Sequence, residues 1–368
     1  MATFTEKLKL LQGLLTGDWA YIGPFFVNVD VTRRCNLRCI GCRFHSPLLK
    51  EPQHHDTPVE DISLPLFERL CGELKSLKTR TITLTGEGEP LLHPDLPEII
   101  YCAKKHGFVV TLVTNGTLLN ADLIQCLLET RLDILKVSIW AGSKNEYEEN
   151  YPGTNPLFFT KVLQGLKLLA AQKSSHHSKL PFVVLHHPIT RLNHFALEKI
   201  VDLALTTGCD ALSFSPTKTF KGKFDSLALD PAAEKQVRDT LIQIGKQLDT
   251  GPLKHNVDEI IKRYSIGGAV WQKMPCYIAW LHARVLVDGT VLPCHRSFLA
   301  MGNLNNCSLQ DVWNNGPYRT FRRKAAQQQS LEECDCHFCG FVVVNTRIHQ
   351  FFKWFAPLTR VYTRILRS

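Results

Sequence analysis

The sequence contains no apolar run approaching the ~20 residues that a membrane-spanning helix requires. Its first fifteen residues interrupt their leucines with Lys7, Lys9 and Gln12, which is not the pattern of a signal peptide. Hydrophobic residues make up 44% of the 368 residues and charged residues 21%, which excludes a chain that is disordered throughout. These features predict a cytoplasmic protein in a reducing environment.

Acidic residues are absent after Asp335, whereas five basic residues lie beyond it. Those five supply much of the formal net charge of +9, which is the excess of 43 Lys and Arg over 34 Asp and Glu. The rest of the chain is therefore only mildly basic, and it carries no appended RNA-binding motif. We therefore expect no nucleic-acid partner.

The thirteen cysteines fall into two tight groups and four single positions. Three lie at 35, 39 and 42, and six lie between 276 and 339. Because thiols stay reduced in such a compartment, grouped cysteines indicate metal ligands rather than disulfides. The single cysteines are interpreted as small buried hydrophobic residues, and they are Cys71, Cys102, Cys126 and Cys209.

Short apolar runs alternate with helix-period segments through the first two thirds of the chain. The six predicted strands are Phe25–Val31, Thr81–Leu84, Val109–Val113, Ile134–Ile139, Phe182–Leu185 and Ala211–Phe214. This alternation predicts an α/β fold of βα units with a parallel sheet. A helix is predicted over Pro231–Leu248, and the loop-rich region beyond Met274 contains one hairpin, with Arg284–Val287 and Val291–Leu292 flanking Asp288-Gly289.

The first cysteine group has the spacing C-x3-C-x2-C and directly follows the first predicted strand. Three thiolates from Cys35, Cys39 and Cys42 can hold three irons of a cubane cluster and leave the fourth iron open. A structural zinc site is the alternative. Such a site needs four ligands, and His45 is the only obvious candidate for the fourth. The spacing favours a catalytic iron–sulfur cluster.

This spacing resembles that of the radical S-adenosylmethionine (radical SAM) superfamily, and so do the ends of the next three strands. The second strand ends in Thr85-Gly86-Glu87-Gly88-Glu89-Pro90, which is similar to the Gly-Gly-Glu-Pro motif of that family. The third ends in Thr114-Asn115-Gly116, and the fourth carries Ser138. In a parallel βα barrel these strand ends share one face, where active sites lie.

The resemblance implies a partial (β/α)6 barrel that binds a [4Fe-4S] cluster and S-adenosylmethionine (SAM). In the family, the reduced cluster cleaves SAM to a 5′-deoxyadenosyl radical, which abstracts hydrogen from substrate. By resemblance, Gly86, Gly88 and Glu89 line the methionine end of SAM, and Asn115 and Ser138 face its ribose or carboxylate. On this basis, valine at Gly88 is expected to weaken SAM binding while leaving the iron content intact.

The adenine contact is the point at which the chain departs from the family. The residue before the third cysteine is often aromatic there, and it is Gly41 here. Phe44, two places after Cys42, is the candidate replacement.

The second cysteine group resembles the SPASM-type extension of radical SAM enzymes, which binds auxiliary iron–sulfur clusters. Six cysteines are too few for two fully ligated cubanes, so one auxiliary [4Fe-4S] cluster is expected, with an electron-transfer or structural role. Its expected ligands are Cys276, Cys294, Cys336 and Cys339. Cys334 is an alternative to Cys336, Cys307 is not expected to be a ligand, and a structural zinc ribbon is the rival interpretation.

These assignments divide the chain into four parts. They are an N-terminal helical segment (1–22), the core barrel (23–250), the auxiliary cluster domain (251–342) and a basic amphipathic tail (343–368). For the tail, a helix docked on the barrel is favoured over contact with a membrane surface or a partner.

The expected activity is that of a radical SAM oxidoreductase whose substrate is a small molecule, a sugar or a peptide. Its electron donor is expected to be a flavodoxin or a ferredoxin. An iron–sulfur electron carrier that does not cleave SAM and an RNA-modifying radical enzyme are the alternatives. The strand-end motifs count against the carrier, and the mild charge counts against the RNA enzyme.

Overall fold

The computed structural model describes residues 3–50, 58–217, 223–266, 274–327, 339–351 and 353. A continuous run of parallel strands forms its centre and confirms the predicted α/β fold. The six strands are β1 (Phe26–Asp30), β2 (Thr81–Thr85), β3 (Val109–Thr114), β4 (Ile134–Ser138), β5 (Phe182–Ile189) and β6 (Ala211–Pro216). Each lies within a residue or two of its predicted start, and β5 is the longest.

The sheet continues beyond these six strands at both edges. At one edge, the short β7 (Lys254–His255) pairs in parallel with β6. At the other, β8 (His282–Val285) pairs in parallel with β1, and β9 (Thr290–Leu292) and β10 (Gly302–Asn303) follow in antiparallel order. The predicted hairpin is therefore present as β8 and β9, and it extends the main sheet, which the sequence did not predict.

Helices follow most strands and cover one face of the sheet. They are α1 (Phe4–Thr16), α2 (Leu64–Ser76), α3 (Leu96–Lys105), α4 (Ala121–Glu129), α5 (Lys144–Asn150), α6 (Phe158–Ser175), α7 (Leu197–Thr206), α8 (Pro231–Leu248), α9 (Val257–Ile266), α10 (Leu309–Trp313) and α11 (Gly316–Ala326). Helix α2 shows why they form. Ser63 caps its first turn, Pro65 lies in that turn, and Phe67, Leu70 and Leu74 are buried on one stripe.

The two faces of the sheet differ in polarity. Along β4, Leu135 and Val137 are fully buried beneath the helices, whereas Lys136 and Ser138 alternate with them and point to the opposite face. Ser138 is paired in register with His186 of β5, which is paired with Ser213 of β6. The face away from the helices is therefore polar near the carboxyl ends of the strands.

Residues 342–351 are helical and pack on the start of the loop-rich region. The amide of Tyr277 donates a hydrogen bond to Oδ1 of the buried Asn345 over 2.6 Å. The rest of the predicted tail, residues 354–368, lies outside the described residues, so its docking stays a prediction. In the described part of the chain, no helix combines the length and the apolar character that crossing a membrane requires.

Candidate active site

The loop after β1, residues 33–44, carries the first three cysteines and is called the cysteine loop. Burial is the main cause of a raised pKa for each thiol, and it brings the pKa of Cys35 to about 12. The charges of Cys35 and Cys42 raise the pKa of Cys39 further, so the three thiols are close neighbours. Backbone amides point at the sulfurs, as in the 3.4 Å contacts of Phe44 and His45 with Cys42 Sγ.

The loop at the end of β2, residues 85–90, packs directly against the cysteine loop and is called the glycine loop. The amide of Gly88 donates to Thr32 O over 2.9 Å, and the amide of Glu89 donates to Arg34 O over 2.8 Å. A Cβ atom at Gly88 would lie 2.1 Å from Arg34 O, and one at Gly86 would lie 2.5 Å from Thr32 O. Both glycines therefore allow two backbones to approach more closely than any side chain permits.

This geometry revises the expectation for Gly88. Its side-chain space is occupied by the backbone of Arg33 and Arg34, which immediately precede Cys35. A larger residue there displaces the cysteine loop itself, so the iron content should fall together with SAM binding.

The Glu89 side chain joins the end of β2 to the end of β3. Its carboxylate accepts hydrogen bonds from Thr114 Oγ1 (2.5 Å), the Asn115 amide (2.6 Å) and the Leu91 amide (3.0 Å). The side chain is buried, and burial raises its pKa to about 7 although the three hydrogen bonds act in the opposite direction. Both oxygens are thus engaged within the protein, as expected of a residue that positions the two loops.

Asn115 joins the end of β3 to the cysteine loop. Its Nδ2 donates to Asn36 Oδ1 over 2.9 Å, and Asn36 Nδ2 donates to Thr117 Oγ1 over 2.8 Å. The amide and hydroxyl of Thr117 both donate to Asn115 Oδ1. Asn36, one residue after Cys35, therefore belongs to the site, although no sequence signal singled it out.

Ser138 and Trp140 lie at the end of β4, facing Gly41 of the cysteine loop. The indole Nε1 of Trp140 donates to Ser138 Oγ over 3.3 Å. A Cβ atom at Gly41 would lie 2.8 Å from the indole ring of Trp140. The aromatic ring missing at position 41 is thus matched by one from the neighbouring strand, whereas Phe44 is buried and stacks against the guanidinium of Arg43, 4.7 Å away.

Three of the four expected auxiliary ligands lie in the described part of the chain, on loops that are packed together. Cys294 follows β9, and Cys339 precedes the helix at 342–351. The rings of His295 and Phe341, one and two residues beyond these cysteines, are 4.8 Å apart. Cys276 is held by a 3.0 Å hydrogen bond from its amide to Ala325 O.

Three further cysteines belong to this region of the sequence, and only Cys307 lies among the described residues. Cys336 and its alternative Cys334 lie outside the described residues. Cys307 contacts Asn303 O through its thiol at 3.5 Å, within the hairpin region.

Buried charges connect the two cysteine regions. Arg43, directly after Cys42, donates from Nη1 to His295 O over 2.9 Å, directly after Cys294. Beside them, Arg284 of β8 forms a buried ion pair with Asp30 at the end of β1, with Nε 3.1 Å from Oδ1. The first strand of the barrel and the hairpin are therefore joined by charge as well as by backbone pairing.

The donor set of the cysteine loop fits an iron–sulfur cluster. The pKa of each of these buried thiols is raised, so without a metal they stay protonated at neutral pH. Binding to a metal displaces the protons and converts the thiols to thiolates. Three sulfurs on one loop, with backbone amides directed at them, match a cluster that has one iron without a protein ligand.

Two family models match the chain. The family model described as the radical SAM superfamily matches residues 29–204, and the SPASM model, described as an iron–sulfur cluster-binding domain, matches residues 276–339. The chain therefore contains a radical SAM domain followed by a SPASM domain. The cofactor set predicted from the sequence, SAM with two [4Fe-4S] clusters, is that of this combination of domains.

Two curated relatives and one solved structure are distant in sequence but match most of the chain. The tungsten-containing aldehyde ferredoxin oxidoreductase cofactor-modifying protein of Pyrococcus furiosus is 24% identical over 347 residues, covering 86% of this chain and 89% of the relative. The PqqA peptide cyclase of Gluconobacter oxydans is 22% identical, covering 85% and 83%. Streptococcus suis SuiB bound to SAM shares the fold with a TM-score of 0.65 at 14% identity, covering 85% of this chain and 73% of that chain.

Proposed function

We propose that this protein is a radical SAM oxidoreductase whose SAM-cleaving [4Fe-4S] cluster is held by Cys35, Cys39 and Cys42. The observation that carries the proposal is the clamping of a three-thiol loop onto the glycine loop through two backbone hydrogen bonds. When bound, the reduced cluster and SAM together supply a 5′-deoxyadenosyl radical that abstracts hydrogen from substrate.

The protein's own residues bind and orient. Gly86 and Gly88 bring the backbone of the glycine loop onto the cysteine loop, where it would line the methionine end of SAM once the cluster is held there. Asn115 and Ser138 lie at the next two strand ends, and Trp140 offers the aromatic surface that position 41 lacks. Glu89 is a positioning residue, because its carboxylate is occupied by three donors of the protein.

We assign the auxiliary cluster to Cys276, Cys294, Cys339 and a fourth thiol, Cys336. Four thiolates saturate a cubane, which leaves no iron for substrate, so this cluster transfers electrons or supports the fold. The packing of the loops around Cys294 and Cys339 supports the assignment.

Release of 5′-deoxyadenosine tests the proposal. The anaerobically reconstituted and reduced protein should produce it from SAM and hold about eight irons, four for each cubane. The Cys35/Cys39/Cys42→Ala variant should produce none and hold about four irons. Release of 5′-deoxyadenosine by that variant would contradict the assignment.

A matched pair of variants tests the auxiliary ligands. Cys294→Ala should reduce the iron content, whereas Cys307→Ala should leave it unchanged, because the Cys307 thiol contacts a backbone carbonyl instead. Stoichiometric zinc with only about four irons in the unmodified protein would favour the zinc ribbon.

A peptide is the substrate class to test first. One relative is a peptide cyclase by name, and SuiB, in a structure with its precursor peptide SuiA, shares the fold with a TM-score of 0.66 at 14% identity, covering 89% of this chain and 75% of that chain. Substrate-dependent consumption of SAM, followed by mass spectrometry of the peptide, is the measurement.

A further inference from the structure

Two of the single cysteines, Cys71 and Cys102, lie on adjacent helices rather than on the strand-end loops of the active site. Cys71 is on the buried stripe of α2, and Cys102 is on the buried stripe of α3. These helices precede and follow β2, the strand that leads into the glycine loop. His106 follows the last turn of α3, and its spacing of four residues from Cys102 places both side chains on one face of that helix.

The two thiols and the imidazole converge on one point between the helices. Both sulfurs and a ring nitrogen of His106 lie within 4.8 Å of one another. Nδ1 of His106 is 3.8 Å from Cys102 Sγ and 2.9 Å from Cys102 O, so the ring is held beside the sulfur. The ring also stacks on Phe108, with centroids 6.2 Å apart. Both thiols are free.

The three donor atoms are close enough for a single ion to reach all of them. In a triangle with no side longer than 4.8 Å, some point lies within about 2.8 Å of every corner, and zinc binds thiolate sulfur at ~2.3 Å and imidazole nitrogen at ~2.0–2.1 Å. Side-chain shifts of about 0.5–0.8 Å close the difference. Among the residues that the structure describes, no other three His, Cys, Asp or Glu side chains come this close together.

The donor set and its burial select the ion. Two thiolates and an imidazole suit zinc, whereas magnesium and calcium require oxygen ligands. Both cysteines are buried, but His106 is only half-buried, which gives an ion a route in from solvent. Three protein ligands leave the fourth tetrahedral position to a water molecule.

We propose that Cys71, Cys102 and His106 bind one Zn²⁺ ion, which joins α2 to α3 behind the strand of the glycine loop. Binding releases one proton from each thiol and involves no change of oxidation state. The site is independent of the cluster assignments, because none of its three residues is a proposed cluster ligand.

X-ray absorption at the zinc edge tests the site in the reconstituted full chain, because the iron of the clusters does not contribute to that spectrum. The protein is loaded anaerobically with zinc chloride and freed of excess metal. We expect one zinc per chain in addition to the iron, with two sulfur neighbours at ~2.3 Å and an imidazole nitrogen at ~2.0 Å. A spectrum without an imidazole neighbour, or a protein that retains no zinc, would overturn the proposal without any variant being needed.

Variants identify the ligands through competition for zinc with a chelator. His106→Ala changes a half-buried position, and Cys102→Ala removes one thiol; each should weaken zinc binding by about tenfold or more. Cys126→Ala on α4 is the matched control, because Cys126 is a single cysteine outside this group, and it should leave the affinity unchanged. Equal affinity in all three variants and the unmodified protein would contradict the site.

The zinc ligands also separate this inference from the proposed function. Zinc with four sulfur neighbours, held equally by His106→Ala, would lie in the second cysteine group; that result would overturn the site at α2 and α3 and favour the zinc ribbon. Zinc bound by two sulfurs and an imidazole in a chain that assembles no iron–sulfur cluster would support the zinc site while the proposed function failed.

Discussion

Alanine at Gly88 should destabilise the protein and reduce its iron content, because the position has no room for a side chain. The new Cβ would lie 2.1 Å from Arg34 O and 2.6 Å from the carbonyl carbons of Arg33 and Arg34. Carbon contacts need ~3.5 Å, so the two loops must separate by about 1 Å or more. Overpacking costs ~1–3 kcal/mol, and weakening the two hydrogen bonds between the loops adds ~1 kcal/mol each.

The expected loss is therefore about 3–5 kcal/mol in the free energy of unfolding of the apoprotein. Urea unfolding measures it, and iron analysis after reconstitution shows whether the displaced cysteine loop still holds its cluster. We expect the iron of the first cluster and the affinity for SAM to fall together, since the same backbone supports both.

Gly72→Ala is the matched control. Gly72 lies inside α2, and a Cβ there would meet nothing within 4 Å. Alanine in a helix interior is favoured over glycine by ~0.5–1 kcal/mol, so this variant should be slightly more stable with unchanged iron. If Gly88→Ala matched Gly72→Ala in stability and iron content, the close approach of the two loops would be refuted.

Two further predictions concern the side chains that join the strand ends. Burial raises the pKa of Glu89 to about 7 in the folded apoprotein. Between about pH 4.5 and pH 7 the folded protein therefore keeps a proton on this carboxyl that the unfolded chain has lost. The contribution of Glu89 to the free energy of unfolding should fall as the pH rises through this range. Urea unfolding across that range should show this trend, and Glu89→Gln should lack it; equal slopes would contradict the burial argument. Asn36→Ala removes the hydrogen bonds to Asn115 and Thr117 and should speed iron release to a chelator, while an unchanged rate would show that the network does not restrain the loop.

The strands and the order of the strand-end motifs were predictable because both are local. A five-residue apolar run, the Gly-x-Gly-Glu-Pro turn and the C-x3-C-x2-C spacing are each visible within a few residues. The contacts of Asn36 with Asn115, or of Gly41 with Trp140, join positions some eighty to a hundred residues apart. Nothing in either segment alone specifies them, since they depend on how the strands pair.

The hairpin was predictable from the sequence because its turn is local, but its place in the sheet was not. Asp288-Gly289 predicts a turn, whereas the pairing of β8 with β1 depends on side chains 254 residues apart, Asp30 and Arg284.

That pairing has a consequence for the relation between the two cysteine regions. Arg284 and Asp30 are both buried, so removing either would leave an unpaired charge at a cost of ~3–5 kcal/mol. β8 also covers one edge of β1 by pairing with it, and β1 leads into the cysteine loop. Arg43 of that loop donates a hydrogen bond to the backbone carbonyl of His295, next to Cys294. Because backbone pairing, a buried ion pair and a hydrogen bond all cross this boundary, the two regions are held at a fixed separation. Damage to the hairpin should therefore also loosen the cysteine loop.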